Sequence, residues 1–410
     1  MKKVLALILA AMMVVAMFTG CGAGNSNDAG EATKAAADGS AAEADGAEEG
    51  STSAEALKIG MTGPLTGSAA VYGTAVEAGI EIAVEEINAA AAENGGLTLA
   101  FKSEDDEADG EKAVSGYNVL KDWGLQVFIG TVTSGACNAV APEAVNDEFF
   151  LLPPSASAVE VAMAGSNTFQ MCFTAPNQGA SAAEVIANNW AAAKIGVIYD
   201  SSDDYSSGLY EGFMDKAEEL GLEVVCETSF TKDTNSALST QVTQCKDAGA
   251  DLMFLPIYYT EASQILTYAN KISYAPTFVG CDGMDGILDV EGFDTSLAEG
   301  LALLTPFDAN ATDEATQSFV SKFVEKTGGV PNQFAADAYD GVYAVYNACV
   351  AAGVDGTTAP ADLCAALGEQ CNTMTFDGLT GTGMTWVENG MISKAPAAVV
   401  ITDGVYVPMD

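Results

Sequence analysis

The 410-residue chain carries 57 acidic and 15 basic side chains, all of the latter lysine, for a net charge of −42; it has no histidine, and 49% of it is hydrophobic. A basic footprint for nucleic acid or an anionic membrane surface is therefore excluded, as are the commonest general base and zinc ligand and the bidentate arginine clamp. What remains is enough apolar material for a sizeable core in two or more domains.

Lys2 and Lys3 precede an apolar run over residues 4–18, shorter than the ~20 residues a bilayer requires. Thr19 and Gly20 then lead to Cys21, the plan of a secretory signal. Residues 22–56 contain no aromatic and no large aliphatic side chain. They cannot bury enough area to offset the entropy of ordering, and they read as a flexible acidic linker. Residues 21–410 hold 13 lysines against all 57 acids.

The folded part begins at Leu57, which with Ile59 and Met61 alternates as a strand. A glycine-rich loop over residues 63–68 breaks it. Val76, Ile80, Ala83, Val84 and Ile87 then recur at helical spacing, with Glu77, Glu81 and Glu85 on the opposite face. Leu97, Leu99 and Phe101 form the next strand. An acidic turn over 104–107 leads to a helix over 111–122, a strand over 127–130 and the loop Thr131-Val132-Thr133-Ser134-Gly135. A helix toward Ala144 follows, then a strand over 149–152 ending in Pro153-Pro154-Ser155-Ala156-Ser157. Residues 168–173 read as a strand, and a helix is expected after Gly179.

The pattern restarts with a strand over 194–199, a loop over 200–208, a helix over 209–220 and a strand over 222–230. A helix over 237–248 leads to a strand over 251–255, with Tyr258 and Tyr259 at its exit. A further helix precedes the strand over 277–280, and Asp282 and Asp285 lie in the loop behind it. A helix over 333–350 and a terminal group of strands over 384–408 complete the chain. Alternating strands and helices with nearly continuous apolar strands mean buried parallel sheets. Two such series, split near residue 176, imply two lobes with a cleft between them. The eight cysteines beyond Cys21 form no C-x-x-C pair, which argues against zinc or redox chemistry. Disulfides and buried free thiols both remain open for them.

Several stretches occur together in a telling order: Gly63-Pro64-Leu65-Thr66-Gly67, Tyr72-Gly73, Gly79, Ala83 and Asn88, Asp105-Asp106, Gly130 with Ser134, and Pro154-Ser155-Ala156-Ser157. Asp203 with Tyr205 and Gly208, Tyr258-Tyr259, and Gly280 with Asp282 continue the series. The chain resembles the type I periplasmic binding proteins over essentially all of residues 57–410. More narrowly it is similar to the leucine/isoleucine/valine-binding family of ABC transporters in its lipoprotein form.

The resemblance implies an α/β fold of two Rossmann-like lobes with parallel sheets joined by a hinge. One lobe is expected over 57–176 and 306–380, the other over 177–305 and 381–410, behind a signal peptide (1–20) and a linker (21–56). A ligand carboxylate would be held by Thr133 or Ser134 and by Ser155, Ala156 and Ser157, where loops opening helices aim N–H groups outward. An ammonium would meet Asp282, Asp203 or Asn177, between walls made by Tyr72, Tyr205 and Tyr258. Ser155 and Ser157 equally suit a helix cap, and Asp282 a turn. Residues 173–178 lack the charged residue often found there in the family.

Phe18-Thr19-Gly20-Cys21 resembles a lipobox, with Cys21 as the lipidation site. The implied protein is a monomer lipid-anchored at the extracytoplasmic face of the cell membrane, where it delivers an amino acid to an ABC permease. Amides, urea and aromatic acids are alternative ligands, and a ligand-sensing ectodomain is an alternative role. No catalytic residue, metal or cofactor is implied. A hydrolase built without histidine would need a Ser/Lys or two-acid arrangement, and the strand-exit loops of the cleft offer no lysine.

Overall fold

A computed structural model describes residues 55–409. The expected signal peptide, Cys21 and nearly all of the linker lie outside the described residues.

The first series runs β1 (Leu57–Gly63), α1 (Ala70–Asn94), β2 (Leu99–Asp105), α2 (Gly110–Trp123), β3 (Val127–Phe128), α3 (Ser134–Asn146), β4 (Phe150–Leu151) and the short α4 (Val159–Met163). Its strands form an all-parallel sheet in the order β2-β1-β3-β4. Leu57, Ile59 and Met61 are fully buried in it, as a strand covered by helices on both faces requires.

The second series runs α5 (Ala175–Trp190), β5 (Lys194–Asp200), α6 (Asp204–Leu220), β6 (Glu223–Phe230), α7 (Ser239–Asp247), β7 (Leu252–Leu255), α8 (Tyr259–Lys271), β8 (Thr277–Gly280) and β9 (Ala302–Thr305). After it come α9 (Glu314–Thr327), α10 (Gln333–Ala352), α11 (Pro360–Cys371), a small hairpin of β10 (Phe376–Gly378) and β11 (Gly381–Met384), and finally β12 (Ala397–Thr402) and β13 (Val405–Pro408). The second sheet has the order β13-β12-β9-β8-β7-β5-β6. It is parallel from β6 to β9 and closed at one edge by the antiparallel pair β12–β13.

After β9 the chain returns to the first sheet, where α9 and α10 pack on α1 and α11 packs on β4. It then passes back to place β12 beside β9. Three crossings therefore join the two sheets.

Helices α9 and α11 and strand β9 were not anticipated. The acidic face of α1 is consequently ion-paired along one edge while Glu85 stays exposed. Lys326 of α9 pairs with Glu81 and Glu85, and Lys322 pairs with Glu86. The expected strand over 168–173 is only a single bridge between Thr168 and Leu151. Its backbone groups are shared out: Phe169 and Met171 N–H bond to Leu151 and Pro153, whereas Gln170 N–H bonds to Gly390. No one partner strand runs alongside. The expected loop over 200–208 ends early, because the Asp203 carboxylate accepts the Ser206 N–H and caps α6 at its start.

The cysteines divide between the two options. Cys226 on β6 and Cys245 on α7 form a disulfide, and Cys137, Cys172, Cys281, Cys349, Cys364 and Cys371 are buried free thiols.

Each series contains one close helix crossing. A Cβ at Gly79 of α1 would lie 2.2 Å from the carbonyl oxygen of Ala335 in α10, and one at Gly179 of α5 would lie 2.1 Å from that of Leu209 in α6. Only glycine permits these approaches. At the crossings between sheets, the buried Lys394 ammonium bonds to Asp337, the Thr380 hydroxyl and the Met171 carbonyl. Asp340 in turn receives the Thr380 hydroxyl and N–H groups.

Overpacking a tight interface costs about 1–3 kcal/mol. Gly79→Ala and Gly179→Ala should each lower stability by that amount in urea titration. Gly329→Ala, where a Cβ meets nothing closer than 3.9 Å, should be neutral.

Candidate functional site

Open α/β sheets bind ligands beyond the carboxyl ends of their strands, where the strand order reverses. In the first sheet that point lies between β1 and β3, and the following segments carry Tyr72 in the first turn of α1 and Thr133 before α3. In the second sheet it lies between β5 and β7, followed by Asp203 and Tyr258. The two sheets turn these ends toward each other.

Seven of the sequence-predicted residues meet around one small chamber: Tyr72, Thr133, Ser134, Ser155, Tyr205, Tyr258 and Asp282, with Phe334 closing the wall. Tyr205 and Tyr258 stack at 4.9 Å with rings 5° apart, and Tyr72 meets the edge of Phe334 at 4.7 Å. The chamber measures about 20 Å³, room for about one water molecule. Hydrogen bonds hold it shut across the cleft, among them Tyr259 N–H to Tyr72 Oη (3.3 Å) and Gln333 N–H to Asp285 Oδ2 (3.0 Å). Tyr72 Oη donates to the Gly283 carbonyl (2.6 Å), Val71 N–H to Tyr259 Oη (3.2 Å), Thr260 Oγ1 to the Ser68 carbonyl (2.7 Å) and Asn138 Nδ2 to Asp204 Oδ2 (2.7 Å). This is a closed arrangement.

On one side the chamber offers donors. Thr133 and Ser134 stand at the first turn of α3, whose leading N–H groups have no partner within the helix. Ser134 Oγ accepts the Ser157 and Ala158 N–H groups at 3.1 Å each, and Ser155 Oγ donates to the Val132 carbonyl at 2.8 Å. The Thr133 hydroxyl is buried without a partner.

On the other side is a carboxylate. Asp282 Oδ1 accepts from Tyr205 Oη at 2.6 Å and Oδ2 from Gln178 Nε2 at 2.8 Å. Among the described residues no lysine pairs with it. Burial pushes its acid up to about 6 against those two hydrogen bonds. Burial likewise raises the phenols of Tyr72, Tyr205 and Tyr258, which stay neutral. A neutral aromatic box with an uncompensated buried acid at one end and hydroxyl and helix-terminal donors at the other suits a small zwitterion.

Four predicted residues sit elsewhere. Asn177 is exposed on α5 and lines neither the chamber nor the cavity beside it. Its neighbour Gln178 faces inward and grips Asp282 at both the side chain and the backbone N–H. The helix begins at Ala175, five residues before the expected start at Ala180. Pro176 in its first turn was the available signal. Ala156 and Ser157 lie outside the chamber wall. The Ala156 carbonyl is held by Gln170 Nε2 at 2.8 Å, and the buried Ser157 hydroxyl has no partner. Asp203 faces an adjoining cavity. Phe334 was missed although Asn332, which caps α10 by accepting the Ala335 N–H, marked its turn.

A family model described as periplasmic binding protein matches residues 56–404. The chain is 26% identical over 296 residues to the leucine-, isoleucine-, valine-, threonine- and alanine-binding protein of Pseudomonas aeruginosa, covering 71% of this chain and 77% of that one. It is 28% identical over 309 residues to a Leu/Ile/Val-binding protein homolog of Brucella abortus, covering 74% and 81%. Among solved structures it is similar to the branched-chain amino acid transporter substrate-binding protein LivJ of Streptococcus pneumoniae in complex with isoleucine. The TM-score is 0.77 at 25% identity, over 86% of this chain and 98% of that one. A solute-binding protein of an ABC transporter from R. palustris in complex with benzoate shares the fold, with a TM-score of 0.76 at 20% identity over 87% and 96%.

The raised acids carry a sign that can be measured. Asp282, Asp203 and Asp285 are each pushed up to about 6 by burial, whereas an unfolded aspartate titrates near ~3.9. The folded form therefore holds the proton more firmly. The stabilisation is complete below about pH 4 and is lost as pH rises through about 6. The ligand-free protein should melt higher at pH 5 than at pH 7.5, and Asp282→Asn should shrink the difference; an unchanged difference would contradict the assignment.

Proposed function

The chain belongs to the periplasmic binding protein family, and we propose that it is the solute-binding lipoprotein of an ABC importer that captures an α-amino acid, leucine, isoleucine or valine in the first place, in its inter-lobe cleft. The observation that carries this reading is the buried, cation-free Asp282 carboxylate opposite the donors at the start of α3. An α-ammonium would supply the missing counter-charge at Asp282. The carboxylate would take Thr133 Oγ1, the Ser134 hydroxyl and the α3 N–H groups, with Ser155, Ala156 and Ser157 supporting from behind. Tyr72, Tyr205, Tyr258 and Phe334 would enclose an aliphatic side chain.

Asp282 also speaks against a plain aromatic acid. A second anion beside a buried ionised carboxylate is repelled and would have to pick up a proton. Hydrogen bonding and aromatic walls are sufficient for capture and release, and the reading asks no reaction of the site.

The chamber is too small for an amino acid as it stands, so entry requires the lobes to part. We assign 57–176 with 306–380 to one lobe and 177–305 with 381–410 to the other. Opening breaks the cross-cleft hydrogen bonds and pivots on the three crossings, Lys394 linking the last of them to the first at Met171. Ligand then shifts the population toward closure, and the closed form docks on a membrane permease. A lipid on Cys21 would hold the monomer at the extracytoplasmic face of the cell membrane, with residues 21–56 as the tether.

Leaving one partner of a buried charge pair alone costs at least about 2 kcal/mol, roughly 30-fold in affinity. Calorimetric titration of the wild type should give one-to-one binding of leucine, isoleucine or valine. Asp282→Asn should weaken it by that factor or more, and Ser134→Ala by about tenfold. Undiminished affinity in Asp282→Asn, or binding of benzoate in place of the amino acids, would overturn the reading.

A further inference from the structure

The small chamber leaves no room for a long side chain, but it shares Thr133 and Tyr258 with a neighbouring cavity of about 290 Å³ at the mouth of the cleft. Two of that cavity's acids are buried. Asp203 is 6% exposed; its Oδ1 accepts the Ser206 N–H, and no lysine pairs with it among the described residues. Glu261 is 8% exposed and accepts only from Asn235 Nδ2 at 2.9 Å. Three further carboxylates, Glu107, Asp109 and Asp200, line it; Glu107 is paired with Lys112, and Lys232, in the loop after β6 where no lysine was expected, is the one lysine of the lining. Where the two spaces meet, the Thr133 hydroxyl is 95% buried by its 5% exposure and has no hydrogen-bond partner.

The chain is acidic throughout, and exposed acids need no ligand to explain them. Two acids withdrawn from water, facing a cavity and in no ion pair among the described residues, are a different matter: the charge of Lys232 acts on Asp203 without bonding to it, and the interior penalises an unpaired charge. Burial raises both, Asp203 to about 6, and ligand binding at neutral pH would meet Asp203 ionised. The carboxylates ring the cavity without converging: among the described residues no group of three is placed to hold a metal ion. An organic cation on a flexible stem fits this arrangement.

We propose that the acid-lined cavity is a subsite for a cationic side-chain terminus, so that α-amino acids ending in an ammonium or guanidinium group bind better than neutral ones of equal length. The ligand's α-carbon groups stay in the inner chamber, its stem passes Tyr258 beside the Thr133 hydroxyl, and Asp203 and Glu261 receive the charge. The inference deepens the amino-acid reading above and rests on it for the head group.

The test is calorimetric titration with lysine and ornithine against norleucine, which has a comparable stem and no terminal charge. Lysine should bind about tenfold or more tightly than norleucine, the worth of a hydrogen bond to a charged group. The ratio should fall toward one in Asp203→Asn, in Glu261→Gln and in the double variant; asparagine keeps the cap on α6. Norleucine binding as tightly as lysine to the wild type would overturn the subsite and leave the amino-acid reading standing. A lysine preference that survives in both single variants would overturn the assignment to Asp203 and Glu261. Pentylamine separates the two claims: if no amino acid binds but pentylamine does, and only with Asp203 and Glu261 intact, the head-group reading falls and the cation subsite stands.

Discussion

A carboxylate shut away from water without a cation is the constraint that organises this protein's cleft. Asp282 is bonded to Tyr205 and Gln178, partners that lessen the cost of its charge without neutralising it. Everything around it is arranged to keep it there. Tyr205 also accepts the Gly283 N–H, and Gly283 in turn accepts from Tyr72 on the other lobe. The acid is thus wired directly into the contact that closes the cleft. A ligand cation placed against it would relieve a buried charge and strengthen closure in one step, which is how a binding protein can couple occupancy to shape.

On the proposed reading the scaffold holds these loops rigidly while its two lobes move. Within each lobe the helices approach so closely that Gly79 and Gly179 have no room for a side chain, and close-packed interiors of this kind deform little. Between the lobes the contacts are of another kind. The Lys394 cluster joins α10, the β10–β11 turn and the crossing at Met171 by a few charge-assisted hydrogen bonds. A polar pivot with rigid bodies on either side is the arrangement that hinge closure requires.

Much of this was legible in the amino-acid sequence. The alternation of Leu57, Ile59 and Met61 followed by the helical period of Val76, Ile80, Val84 and Ile87 marked a parallel-sheet unit, and its repetition marked the second lobe. Loops at strand ends pointed to Thr133, Asp203 and Tyr258. What failed was direction and cover. Asn177 came from the resemblance alone, while its neighbour Gln178 is the residue bonded to Asp282, and one residue along a helix turns a side chain by about 100°. The place of α9 was hidden because Glu81 and Glu85 read as a solvated face, and they stay partly exposed even where Lys326 pairs with them. Which of eight cysteines pair could not be read from spacing, since Cys226 and Cys245 meet only through the packing of α7 on β6.

The central claim is that Asp282 waits for an ammonium. The most direct measurement compares leucine with its 2-oxo acid, 4-methyl-2-oxopentanoate, which keeps the carboxylate and the side chain and carries a carbonyl oxygen in place of the ammonium. The account predicts that leucine binds the wild-type protein and that the 2-oxo acid binds at least about 30-fold more weakly, the cost of a buried charge left alone. Equal affinity for the two would show that the buried acid plays no part in recognition, and would contradict the account at its root.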